Sequence, residues 1–181
     1  MKRNIALIGF MGAGKSVTGR SLAHLLDWEF VDTDEMVETK AGMTISAIFA
    51  QQGEDNFRKL ESEAIRQACS GHGRVIACGG GAVLRQENVD MLKSSALVIY
   101  LAAKPGVILQ RVGNGKTRPL LETGDRPATV ASLLKVRQSL YEKAADIIID
   151  TTEMDTCEVV RKISSEMDKY EGFNLHKRYS G

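Results

Sequence analysis

Short apolar runs alternate along the chain with stretches whose apolar residues recur at helical spacing. Ile5-Ala6-Leu7-Ile8 is the first run, and an amphipathic helix from Val17 to Leu26 follows it. Trp28 to Val31 reads as a second strand, ending in Asp32-Thr33-Asp34. Helical patterns cover Glu35 to Ala41, Ile45 to Gln51 and Glu54 to Ser70. Val75-Ile76-Ala77 is a third strand, closed by Gly79-Gly80-Gly81, and a short helix spans Glu87 to Lys93. Leu97 to Leu101 is a fourth strand, and Pro105 opens a helix that reaches about Val112. Thr129 to about Ala144 is helical, Ile147 to Ile149 is a fifth strand, and Asp155 caps a last helix to about Met167. Five short apolar strands separated by helices predict an α/β fold with a five-stranded parallel sheet, helices covering both of its faces. Ligands of such sheets bind beyond the carboxyl ends of the strands.

The segment joining the first strand to its helix is Gly9-Phe10-Met11-Gly12-Ala13-Gly14-Lys15-Ser16. It fits the phosphate-binding pattern G-x-x-x-x-G-K-[ST] in full and in the required strand–turn–helix context. Glycines let several backbone N–H groups converge at a positive helix terminus, and a triphosphate tail is the natural occupant. Lys15 would then reach the β and γ phosphates, and the Ser16 hydroxyl would ligate Mg²⁺.

Composition narrows the class without choosing a function. The chain has 181 residues, 43% hydrophobic and 26% charged, which suits one soluble domain with a real core. A net charge of +1 gives no general attraction to nucleic acid or an anionic membrane, so neither is expected as a partner. No apolar run approaches the ~20 residues of a membrane helix, and the first residues do not read as a signal peptide. Cys69, Cys78 and Cys157 are odd in number and lack C-x-x-C spacing. They are expected as buried thiols of a reducing compartment, with the cytoplasm as location. Residues 1–169 are expected to form one domain and residues 170–181 a loose tail.

Asp32 and Asp34, two apart at a strand end, are expected to point to one side of the chain. One carboxylate there can serve Mg²⁺ through water and the other can hydrogen-bond an acceptor hydroxyl. The alternative is a helix N-cap by Asp34 or Thr33 beside one solvated acid. Val75 to Cys78 lacks the usual metal-assisting carboxylate of such folds, which leaves Asp32 as the candidate. The triple glycine would let backbone approach a ligand with N–H groups free to donate, or merely permit a tight turn. Phe57, Arg58 and Glu61 share a helical face; Arg58 could grip a carboxylate or phosphate, or form an exposed pair with Glu61. Residues Gly113 to Pro127 read as a mobile lid carrying Lys116 and Arg118, or as a solvated charged loop. Arg111 and Arg137 flank it on helices, where arginines are common, so spacing alone does not make either a site residue.

Taken in order, these pieces resemble the shikimate kinases, a family with the nucleoside-monophosphate-kinase-like P-loop fold. The resemblance rests on Gly9 to Ser16 with Gly19-Arg20, Asp32-Thr33-Asp34, Gly53-Glu54 with Phe57-Arg58, and Glu61. It continues through Gly79-Gly80-Gly81-Ala82, Arg118-Pro119-Leu120-Leu121, Arg137 with Leu140-Tyr141, and Asp150-Thr151. Cys78 departs from the small residues expected before the glycines. The resemblance implies ATP-dependent phosphorylation of shikimate at its 3-hydroxyl, a step towards chorismate and the aromatic amino acids. It implies a catalytic set of Lys15, Asp34 and Arg118, and ATP contacts from Gly12, Ala13, Gly14, Lys15, Ser16, Val17, Arg111 and Arg118. Asp34, Phe57, Arg58, Glu61, Gly79, Gly80, Gly81 and Arg137 would surround shikimate, with Arg58 and Arg137 on its carboxylate. Ser16 and Asp32 would hold Mg²⁺, and the chain would act as a monomer. A related kinase with a sugar-acid or nucleotide acceptor, or a regulator that binds ATP without an acceptor, would share the phosphate loop.

Overall fold

The computed structural model describes residues 2–112 and 125–170. Five strands, β1 (Asn4–Ile8), β2 (Glu29–Asp32), β3 (Arg74–Ala77), β4 (Ala96–Ala102) and β5 (Ile147–Asp150), form one parallel sheet in the order β2-β3-β1-β4-β5. Ala6 of the central strand pairs with Ile76 on one side and Val98 on the other. Every residue of β1 is buried, as expected for a strand covered on both faces.

Alternation along the strands divides the core. Ile5, Leu7, Val75, Leu97 and Ile99 face α1 (Lys15–Leu26) and α7 (Thr156–Lys169), where Leu22, Val159 and Ile163 complete the packing. Ala6, Ile8, Ile76, Val98 and Tyr100 face the other way. That side is covered by α3 (Ile45–Ser70), α4 (Gln86–Ser95), α5 (Pro105–Val112) and α6 (Arg126–Ala144), through Ile65, Leu92, Ile108 and Leu134. Asp155 forms the expected cap of α7 as a capping box with Glu158. No described helix is long and apolar enough to cross a membrane.

The structure corrects the sequence reading at several points. Helix α2 (Thr33–Ala41) starts at Thr33, so only Asp32 ends the strand and Asp34 sits in the first helical turn. The cap is Asp32, not Asp34 or Thr33: its Oδ1 accepts from the Asp34 N–H at 3.0 Å. Helix α3 is interrupted at Gly53 (φ 80°, ψ 170°), which separates the two helical arms expected there. Helix α6 begins three residues before Thr129, because Asp125 caps it and Pro127 suits its first turn. Arg126 and Pro127 therefore belong to the helix, with Asp125 as its cap, and not to the expected lid; the rest of the lid and Arg118 lie outside the described residues. The expected tail lies outside them too, apart from Tyr170, whose hydroxyl donates to Asp146. Cys78 is buried and Cys69 partly so, but Cys157 is exposed on the outer face of α7.

Candidate active site

The loop between β1 and α1 bends where glycine is needed. Gly12 and Gly14 take φ values of 77° and 90°, a region L side chains rarely adopt. A Cβ on Gly12 would also lie 2.6 Å from the Val112 side chain. The loop forms one wall of a cleft of about 520 Å³ at the carboxyl ends of the strands, which Gly12, Ala13, Gly14, Lys15, Ser16 and Val17 all line. Asp32, Asp34, Cys78 and Gly80 lie on one side of it, and Arg111, Thr151 and Met154 on the other.

Lys15 Nζ donates to the carbonyls of Gly9 and Phe10, each at 2.9 Å, which holds the ammonium over the loop. The Ser16 hydroxyl donates to Asp32 Oδ2 at 2.6 Å. Asp32 thus uses one oxygen to start a helix and the other to reach the phosphate loop. Arg111 donates to the hydroxyl of Thr151 at 3.0 Å and to its carbonyl at 2.8 Å, which fixes the guanidinium beside the end of β5. Burial lifts the Cys78 thiol well above its ordinary range, so the cleft holds a neutral thiol there and not a nucleophile.

The triple glycine works differently from the sequence reading. The Gly79 N–H is not free, because it donates to the Thr33 hydroxyl at 2.9 Å. A Cβ at Gly79 would lie 2.6 Å from Asp34 Oδ1 and 2.7 Å from Glu61 Oε1. One at Gly81 would lie 1.9 Å from Arg58 Nη1. These glycines make room for charged side chains from α2 and α3 to close on the end of β3. Gly80 turns its carbonyl to α6, where Arg137 Nη1 donates to it at 3.4 Å and the Tyr141 hydroxyl donates as well.

Arg58 and Glu61 are not an exposed pair: they are 7% and 1% exposed, with Nη1 on Glu61 Oε2 at 2.8 Å. The Arg58 Nε and Nη2 donate to Glu54 Oε1 at 3.2 and 2.9 Å. Glu61 Oε1 is buried and has no hydrogen-bond partner among the described residues. Burial outweighs Arg58 and lifts the Glu61 carboxyl above its ordinary value, with Asp34 adding to the effect. The pair holds Arg58 cationic against its own desolvation. Phe57 is buried in a small core with Val37 and Ile48, and the Arg58 guanidinium carbon lies 5.1 Å from its ring centroid. Arg137 is 6% exposed and near enough to Glu61 for its charge to act on that carboxyl. A buried guanidinium is suited to an anionic ligand.

Of the predicted site residues, Phe57, Arg58, Glu61, Gly79, Gly81 and Arg137 do not line the cleft. Arg58, Glu61 and Arg137 form a buried charged cluster around the glycines, next to the cradle at Asp34 and Gly80. Sequence reasoning quoted Thr33 and Glu54 within motifs but gave them no place in the site, and it passed over Met154. Thr33 stood inside the Asp-Thr-Asp run, but its bond to residue 79 joins segments far apart in the chain.

Comparison with known proteins agrees with this arrangement. The family model for shikimate kinase matches residues 11–168. A shikimate kinase of Moorella thermoacetica is 44% identical over 167 residues, covering 92% of this chain and 95% of that protein. One of Haemophilus influenzae is 42% identical over 174 residues, covering 96% and 97%. The solved structure of shikimate kinase from Acinetobacter baumannii in complex with shikimate superposes with a TM-score of 0.91 at 37% identity, covering 95% of this chain and 96% of that one. The chain belongs to the shikimate kinase family.

Proposed function

We propose that this chain, an ATP-dependent kinase by family, transfers the γ-phosphoryl group of ATP to the 3-hydroxyl of shikimate, giving shikimate 3-phosphate and ADP. The observation that carries the residue roles is that Asp34 and Gly80 line the phosphate cleft and also touch the buried cluster, Asp34 beside Glu61 at Gly79 and Gly80 bonded by Arg137. A phosphate loop alone would serve any ATP-binding protein. The cluster and Asp34 offer a small anionic acceptor what it needs, namely buried guanidiniums for its carboxylate and a carboxylate for its hydroxyl.

In this reading the loop N–H groups and Lys15 hold the β and γ phosphates, and Arg111 borders the base end of the nucleotide. Arg58 and Arg137 fix the acceptor's carboxylate. Asp34 aligns the hydroxyl and accepts its proton as the new O–P bond forms. Phosphoryl transfer has a loose transition state, so this alignment supplies most of the catalysis and Asp34 need not be a strong base. Arg118 matches the family position that bears on the transferred group, and we assign it that role together with a lid over residues 113–124.

Ser16 and Asp32 suit Mg²⁺. Their oxygens are 2.6 Å apart beside the cradle, one hydroxyl and one carboxylate. Mg²⁺ takes few protein ligands and completes its shell with phosphate oxygens and water. Bound there, it would neutralise charge on the β and γ phosphate oxygens. We read the chain as a monomer acting in the cytoplasm.

The test is ADP release in Mg²⁺-ATP with a panel of acceptors: shikimate, gluconate, a nucleoside monophosphate, and none. Release with shikimate alone is expected. Preference for gluconate or the nucleotide would reassign the acceptor, and no release with any would leave an ATP-binding regulator.

A further inference from the structure

Tyr141 is the largest fully buried side chain among the described residues, at 0% exposure, and carries a hydroxyl that the roles above do not use. Its ring stacks on Tyr100 with centroids 5.0 Å apart, so the ring is fixed by packing. Its hydroxyl donates to the Gly80 carbonyl. Arg137, one helical turn earlier on α6, comes to the same carbonyl, close enough for its charge to act on the phenol. It donates to Gly80 at 3.4 Å. The Phe10 ring adds a cation–π contact, 5.9 Å from the guanidinium carbon to the centroid.

We infer that Tyr141 is a positioning residue for acceptor recognition, its hydroxyl fixing the Gly80 carbonyl on which the Arg137 guanidinium also rests, and so holding both in the geometry that receives the acceptor's carboxylate. This rests on the reading of Arg137 as a carboxylate partner. An arginine side chain has several rotatable bonds to freeze on fixing its guanidinium. Arg137 feels Glu61 through its charge, and its guanidinium makes the long bond to Gly80 and lies by the Phe10 ring. Without the Tyr141 hydroxyl, the carbonyl that takes that long bond is itself held less firmly. Ordering would then fall on the binding step and weaken it. Burial holds the Tyr141 phenol far above its usual range, so it remains a donor at any working pH. Gly80 is fixed by the same bond. A trans peptide sets the Gly81 N–H opposite the Gly80 carbonyl, so pinning that carbonyl also fixes where the N–H points.

The experiment compares Tyr141→Phe, Arg137→Ala and the double variant by steady-state kinetics. Phenylalanine keeps the ring and its stack, so the fold is retained, and a melting curve checks it. Tyr141→Phe should raise KM for shikimate roughly 3- to 10-fold, the scale of one or two neutral hydrogen bonds, with KM for ATP within about twofold. In the Arg137→Ala background the added Tyr141→Phe should change KM for shikimate less than about twofold, because the group it positions is gone. Tyr100→Phe keeps the stack and touches neither Gly80 nor Arg137, and should leave KM for shikimate unchanged. The proposal is overturned if Tyr141→Phe leaves KM for shikimate unchanged. It is also overturned if both KM values and kcat move together, or if the two substitutions act independently. If Arg137→Ala itself spares shikimate binding, the carboxylate assignment of Arg137 has failed, and the inference falls with it.

Discussion

Replacing Gly79 by alanine tests how the acceptor half of the site is built. The new methyl would sit 2.6 Å from Asp34 Oδ1 and 2.7 Å from Glu61 Oε1, where ordinary contact begins at 3.4 Å. Each carboxylate must give way by about 0.7–0.8 Å, or the end of β3 must move by a similar amount. Neither retreat is easy. Glu61 is 1% exposed and tied to Arg58, and the Gly79 N–H is tied to Thr33 at the start of the helix that carries Asp34. Overpacking of this kind costs about 1–3 kcal/mol, which lowers Tm by roughly 2–12 °C in a domain of this size. A reacting group displaced by nearly 1 Å loses on the order of 10²-fold in rate, so kcat should fall by about that factor. The phosphate loop is not touched, and affinity for a fluorescent ATP analogue should stay within about twofold. Gly80→Ala is the stability control. Its methyl would meet nothing closer than 3.4 Å, so Tm should hold. A Gly79→Ala protein with unchanged Tm and kcat within about threefold of wild type, or ~0.7 kcal/mol in barrier, would refute the reasoning.

Asp32 and Asp34 should separate by phenotype. Asp32→Asn should raise the Mg²⁺ concentration needed for half-maximal rate, while Asp34→Asn should depress turnover at saturating Mg²⁺ and ATP; exchanged phenotypes would reverse the two roles. Glu61 gives a pH signature. Burial lifts its carboxyl above the ordinary 4.5, so its contribution to stability is full below that pH and is lost as pH rises through the raised value. In urea unfolding, the margin of wild type over Glu61→Gln should therefore shrink between about pH 4 and pH 8. A margin that widens with pH would mean that Arg58 holds the carboxyl low.

What the sequence revealed was local. Gly9 to Ser16 was legible because its function depends on backbone conformation and spacing within one turn. The five strands were legible as short apolar runs; β1, β3 and β4 are almost wholly buried, whereas the edge strands β2 and β5 keep exposed residues. Asp32 was placed correctly as a candidate beside the loop, but its capping bond to the Asp34 N–H was not seen, because three polar residues in a row offer several possible caps. Arg58 and Glu61 could not be told from a surface pair. Their burial depends on Gly79 and Gly81, which follow them on a different element and come beside them only in the folded chain. The glycines were read as making room for a ligand, whereas two of the three make room for the protein's own charged groups. Tyr141 carried no local signal, since a tyrosine on a helix is ordinary until its partner is known.

The strand order has a consequence for how the chain is made. β1 carries the phosphate loop at its end, yet its neighbours are Ile76 on one side of Ala6 and Val98 on the other. The first strand to be synthesised must therefore wait for the fourth. At roughly 5–20 residues per second, about 5–20 s pass on the ribosome before Val98 exists. Through that interval the apolar run Ile5 to Ile8 has no sheet to join. ATP cannot shorten the delay, because a ligand stabilises only the state that binds it, and the cradle does not exist until β1 is seated between β3 and β4. Chaperone occupancy on nascent chains of increasing length should accordingly be greatest before residue 98 emerges and fall after it.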